Sequence, residues 1–195
     1  MSRNYSYILI GPKEEAQLLL KNTFTICTTF SNNSLEFPDG SSITGSFSAG
    51  ISVGRRVQFS GRIPNAKLPV AMSFPTGDYL HKTRFAQGQS TTLEGIDLEI
   101  FLGNKYAFFR YQAANGKISR LFENADAIKQ AFKQLAEDSN CLLAMFDKQE
   151  STCYLLDEVM TAVPSNQSFI PNPVFEKPER LDFYVESFLE NAVNP

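Results

Sequence analysis

From Ile96 to Leu102 every second residue is apolar. Ile96, Leu98, Ile100 and Leu102 share one face of an extended chain, and Asp97 and Glu99 share the other. Period two predicts a half-buried strand. Gly103-Asn104 predicts a hairpin turn, and Lys105 to Gln112 an aromatic-rich return strand. Asn115-Gly116 predicts a type I′ turn into a third strand, Lys117 to Phe122. The period then lengthens. Asn124 is read as the N-cap of a helix running to about Asp138. Ile128, Ala131, Phe132 and Leu135 form its apolar stripe, and Lys129, Lys133 and Glu137 its polar face. Cys141 to Phe146 and Thr152 to Leu156 predict another hairpin.

Tyr5 to Ile10 predicts a first strand, ended by Gly11-Pro12. Pro12 suits the first turn of a helix over Lys13 to Leu20, where Glu14 and Glu15 favour the N-terminus. Thr23 to Phe30 is rich in Thr, Ile and Phe and predicts a strand. Residues 31–92 alternate over short spans, as in Ile51-x-Val53 and Val57-x-Phe59. Turn signals recur at Pro38-Asp39-Gly40, Pro64-Asn65 and Pro75-Thr76-Gly77, so short strands and long loops are expected. Four prolines (Pro164, Pro171, Pro173, Pro178) mark residues 163–178 as an extended segment. A last helix is predicted from Pro178, with Leu181, Tyr184, Val185, Phe188 and Leu189 on one face.

These elements predict an α+β fold: a mainly antiparallel sheet or partly closed barrel packed by two or three helices. The expected organisation is a single α+β domain over 1–162, a proline-rich extended segment over 163–177, and a C-terminal amphipathic helix over 178–195 packed on the domain. A chain of 195 residues can bury roughly 70% of its unfolded surface, enough for a core without staples. The 17 Phe and 7 Tyr, with no Trp, assign most rings to that core.

The three cysteines, Cys27, Cys141 and Cys153, form no CxxC or CxH spacing. Neither a disulfide framework nor a zinc site is indicated; Cys141 and Cys153, in apolar strand-like runs, are expected as small buried hydrophobes, and a reducing, cytoplasmic setting fits. The run Tyr7 to Ile10 is too short for the apolar region of an export signal. No stretch approaches the ~20 apolar residues of a membrane span, so no membrane partner is expected. The sequons at Asn4, Asn32 and Asn166 are then chance matches.

Gly50-Ile51-Ser52-Val53-Gly54 matches the G-x-S-x-G string of a nucleophile elbow, but strand-like alternation follows it where a helix is required. A glycine-flanked strand or bulge explains it at less cost. His81 is the sole histidine and sits beside Lys82 and Arg84, as a surface histidine in a basic loop would. Asp97 with Glu99, and Asp157 with Glu158, read as solvated faces rather than paired acid–base groups. Neither a phosphate loop nor a metal cluster is present, so no cofactor is expected.

Charge is unevenly spread. Residues 1–90 carry nine cations and five acids, a net +4, and residues 91–195 a net −7. From Gly40 to Leu93 six cations accompany one acid, Asp78, with aromatic rings interleaved. The candidate binding residues are Arg55, Arg56, Arg62, Lys67, Tyr79, His81, Lys82 and Arg84. The expected function is a non-enzymatic binding or adaptor protein of the intracellular type. Its expected partner is another protein, with an acidic one suiting the basic stretch. The alternative is a binder of nucleic acid or another polyanion through residues 55–84, where cations and stacking rings would act together. A third class is an enzyme whose site is assembled from dispersed residues.

Overall fold

The continuous apolar run from Tyr7 to Ile10 suits a strand buried on both faces. In the computed structural model it forms the middle of β1 (Ser6–Pro12), whose residues up to Gly11 are all buried. The structure describes residues 4–27, 33–36, 42–45, 56–58, 65–77, 79–80, 83, 86–148, 152–156, 162–164 and 178–193. After β1 come a short 3-10 turn (Lys13–Glu15) and α1 (Ala16–Thr25). Next are β2 (Asn33–Glu36), β3 (Ser42–Gly45), β4 (Arg56–Gln58), β5 (Asn65–Pro75), β6 (Ala86–Gln87), β7 (Ser90–Leu102) and β8 (Tyr106–Ala113). Then follow α2 (Gly116–Asn124), α3 (Asp126–Asp138), β9 (Leu143–Asp147), β10 (Thr152–Leu155), β11 (Ala162–Pro164) and α4 (Pro178–Val193).

The main sheet has eight strands in the order β11-β10-β9-β1-β8-β7-β5, with β6 beside the start of β7. All its pairings are antiparallel. The order runs from one edge to the other, so the sheet is open and not the partly closed barrel kept as an alternative. β2 lies between β3, antiparallel, and β4, parallel, in a separate three-stranded sheet.

Alternation along the strands sorts the core into two. Tyr7, Leu9, Leu98, Ile100, Phe109, Tyr111 and Phe146 point to the face packed by α1, α2 and α3. Ile8, Ile10, Phe101, Phe108, Leu143 and Met145 point to the other, where they meet Val185 of α4. A helix thus covers the second face as well, and four α-helices lie among the described residues. Phe132 of α3 sits at the centre of the larger core, stacked on Tyr7 at 4.2 Å between ring centroids and tilted against Tyr111 at 4.9 Å.

Three sequence expectations fail locally, each for a physical reason. Thr23 to Thr25 continue α1 rather than beginning a strand. Thr23 donates its hydroxyl to the Leu19 carbonyl and meets the Tyr111 hydroxyl, so tertiary packing overrides its strand preference. Lys117 to Phe122 is helix, not a third strand. Asn115 is extended, with φ −155°, rather than in the positive-φ conformation of a type I′ turn. Its side chain instead caps α2, accepting from the backbone N–H groups of Lys117 and Ile118. Asn124 ends that helix and does not cap α3, which begins after Ala125.

The β5–β7 pairing also shifts. Val70 faces Ile96 and Met72 faces Leu93, so β7 carries one extra residue there. Gly95 absorbs it at φ +80°, the glycine bulge that an L side chain would strain. β5 itself, 11 residues long, replaces the short strands expected here.

Candidate functional site

Of the eight candidate binding residues, Arg55, Arg62, His81, Lys82 and Arg84 lie outside the described residues. So do the Gly50–Gly54 string, Asp78, Asp157 and Glu158. Arg56 begins β4, opposite Ser34 in parallel register. Lys67 is on β5, opposite Glu99. These two cations therefore stand on strands of different sheets. Tyr79 is exposed beside the buried Leu80.

Glu99 corrects the expectation of a solvated acidic face. It is buried and paired with Arg110, its direct neighbour on β8. Arg110 Nε donates to Glu99 Oε2 at 2.7 Å, and Arg110 Nη2 donates to the same oxygen. The pair belongs to a polar strip on the face that also bears the second core. In register, Asp97, Gln112, Ser6 and Asp147 form the adjacent row across β7, β8, β1 and β9. Ser6 and Asp147 are buried.

The interior phenols and thiols are turned to packing. Tyr7 donates its hydroxyl to the Phe122 carbonyl at 2.7 Å. Burial pushes its pKa up, with a smaller push from the Asp126 charge. Burial also raises Tyr111, against the opposing effect of its hydrogen bond with Thr23. The Cys27 thiol is pushed up to about 12 by burial, and Cys141 to about 12 by burial and then the Glu15 charge. A thiol nucleophile needs the opposite shift, toward thiolate. Both thiols are free. Cys153 lies on β10, but its side chain is outside the described residues. Among the described residues, no cluster of three His, Cys, Asp or Glu is placed to hold a metal ion.

α4 brings two features that the sequence reading did not single out. Asp182, buried near its start, accepts from three successive backbone N–H groups of the β7–β8 turn: Asn104 at 2.9 Å, Lys105 at 3.0 Å and Tyr106 at 3.3 Å. Lys105 Nζ also pairs with Glu186 at 2.6 Å, and that hydrogen bond is the main cause of its raised pKa. Phe183, next along the helix, is 65% exposed. Its ring meets Tyr184 edge-on at 5.6 Å, while Tyr184 itself packs partly on the second core. The helix thus carries an aromatic pair, one ring in water and one against the body.

No described helix is long and apolar enough to cross a membrane. The chain matches no protein-family model, no curated protein and no solved structure.

Proposed function

We propose that the protein is a non-enzymatic binding or adaptor protein, working in the reducing setting of the cytoplasm, with another protein as its partner. The observation that carries this reading is Phe183. An exposed phenylalanine braced edge-on by a half-buried tyrosine is the kind of aromatic anchor that dominates protein interfaces. The state of the interior groups supports it: the thiols and phenols described above are protonated, packed or hydrogen-bonded, which is the reverse of an activated nucleophile. The free thiols of Cys27 and Cys141 support the cytoplasmic setting.

Sedimentation of the tagged protein in extracts of its native cells tests the reading. The wild type is expected to travel in a discrete complex heavier than its own 21.8 kDa. The Phe183→Ser variant is expected to return to monomer mass with an unchanged circular dichroism spectrum. Identical sedimentation of the two proteins would remove Phe183 as the anchor.

A further inference from the structure

We propose that Asn115 is a modification site: its side-chain amide deamidates through attack by the backbone nitrogen of Gly116, and the two products act oppositely on α2. The site is independent of Phe183 and of any partner docked there.

Asn115-Gly116 is the one Asn-Gly pair in the chain. Asparagine is a thermally labile side chain. A following glycine has no Cβ to hinder approach to its own nitrogen. The structure adds two conditions. Asn115 is exposed, so water reaches it. Gly116 is the first residue of α2, and the N–H groups of a helix's first turn have no partner within the helix. The cap does not engage it either, because Asn115 Oδ1 accepts from Lys117 at 3.0 Å and from Ile118 at 3.1 Å.

In the reaction the Gly116 nitrogen gives its proton to solvent and bonds to Asn115 Cγ. The Cγ–Nδ2 bond breaks. Nδ2, which lies beside the Gly95 bulge of β7, takes up a proton and leaves as ammonia. The product is a cyclic succinimide, and water opens it at either carbonyl to give aspartate or isoaspartate. The fold slows the closure. At ψ 165° the Asn115 Cβ stands gauche to the Gly116 nitrogen, and the ring forms only when the two are eclipsed. That rotation pulls Oδ1 off its donors, so the reaction passes through opening of the first turn of α2.

The products then diverge. Aspartate keeps an acceptor for the Lys117 and Ile118 N–H groups, and its charge suits a helix N-terminus. Isoaspartate carries the main chain through Cγ instead. The carbonyl that accepts from Ser119 N and Ser119 Oγ becomes a free carboxylate on a lengthened backbone. Ser119 is buried, and its hydroxyl also accepts from Tyr5 N just before β1. Isoaspartate therefore disturbs the cap and its link to β1 together.

Peptide mapping of the full-length protein, aged at physiological pH and temperature, tests the site. Isoaspartyl methyltransferase with labelled S-adenosylmethionine measures the isoaspartate. Asn115 is expected to convert before every other asparagine, and about tenfold more slowly than in a free peptide of residues 111–120. Gly116→Ala, a better helix former, should slow conversion by a further factor of about ten and keep the wild-type circular dichroism spectrum. Asn115→Asp should unfold at or above the wild-type urea midpoint, and the isoaspartate form separated from the aged sample should unfold below it. Another asparagine converting first would overturn the proposal. So would an intact Asn115 after about ten half-lives of the peptide, or equal midpoints for the aspartate and isoaspartate forms.

Discussion

Arg110 and Glu99 face each other across β8 and β7, and the guanidinium gives two of its donors to one carboxylate oxygen. Both side chains are largely buried. Removing one member leaves the other as a buried charge without this partner, which typically costs ~3–5 kcal/mol. Glu99→Gln and Arg110→Gln should each lower stability by that order in urea unfolding. The double replacement Glu99→Leu with Arg110→Met should recover most of the loss, because apolar residues of similar volume tolerate such a site. Single variants within about 0.5 kcal/mol of wild type would show that the pair is solvated after all.

Phe132 is fully buried and contacts Tyr7, Phe74, Tyr111 and Phe122. Phe132→Ala is expected to cost ~3–5 kcal/mol, the range for emptying a buried ring site. Chemical denaturation measures it, and a loss below about 1 kcal/mol would place α3 off the core.

The thiols predict an alkaline limit to stability. Cys27 and Cys141 move from an ordinary 9.0 up to about 12 in the fold. The folded protein then holds their protons more tightly than the unfolded chain does. Their contribution is complete below about pH 9 and is lost as pH rises toward about 12, at up to about 1.4 kcal/mol per pH unit for each group. Urea midpoints measured between about pH 8 and about pH 10 should fall, and less steeply in the Cys27→Ala, Cys141→Ala double variant. Native-state labelling by a thiol reagent should be slow at both positions and fast after unfolding. Rapid native labelling of both, or a slope unaltered by the double variant, would contradict the assignment.

The basic stretch separates the protein-binding reading from the polyanion one. If it is an ordinary charged surface, the protein should leave heparin resin below about 0.15 M salt. Replacing Arg55, Arg62, Lys82 and Arg84 by Gln should then scarcely change its retention. Tight retention with a steep salt dependence, abolished by those replacements, would favour nucleic acid as the partner.

Much of this fold is legible where one periodicity runs without competition. The alternation of Ile96, Leu98 and Ile100 marks β7, the stripe of Ile128, Phe132 and Leu135 marks α3, and Pro178 marks the start of α4. The failures come where a side chain acts at a distance. Thr23 is helical because of Leu19 and Tyr111, and Asn115 caps a helix where its pairing with Gly116 suggests a turn. Glu99 looks solvated because Arg110, its partner, lies 11 residues away on the next strand. Asp182 is invisible for the same reason, since the turn it anchors is 76–78 residues earlier. Phe183 adjoins an apolar stripe, and sequence alone does not separate a ring in the stripe from one beside it.

Site-specific photo-crosslinking probes the binding reading most directly. A photoreactive phenylalanine replaces Phe183 on α4 in one protein and Gln130, an exposed position on α3, in another. Irradiated in native cells, the first is expected to give one discrete adduct that excess unlabelled wild-type protein competes away, and the second to give none. Equal adducts from both positions, or none from position 183, would contradict a protein partner docked on α4.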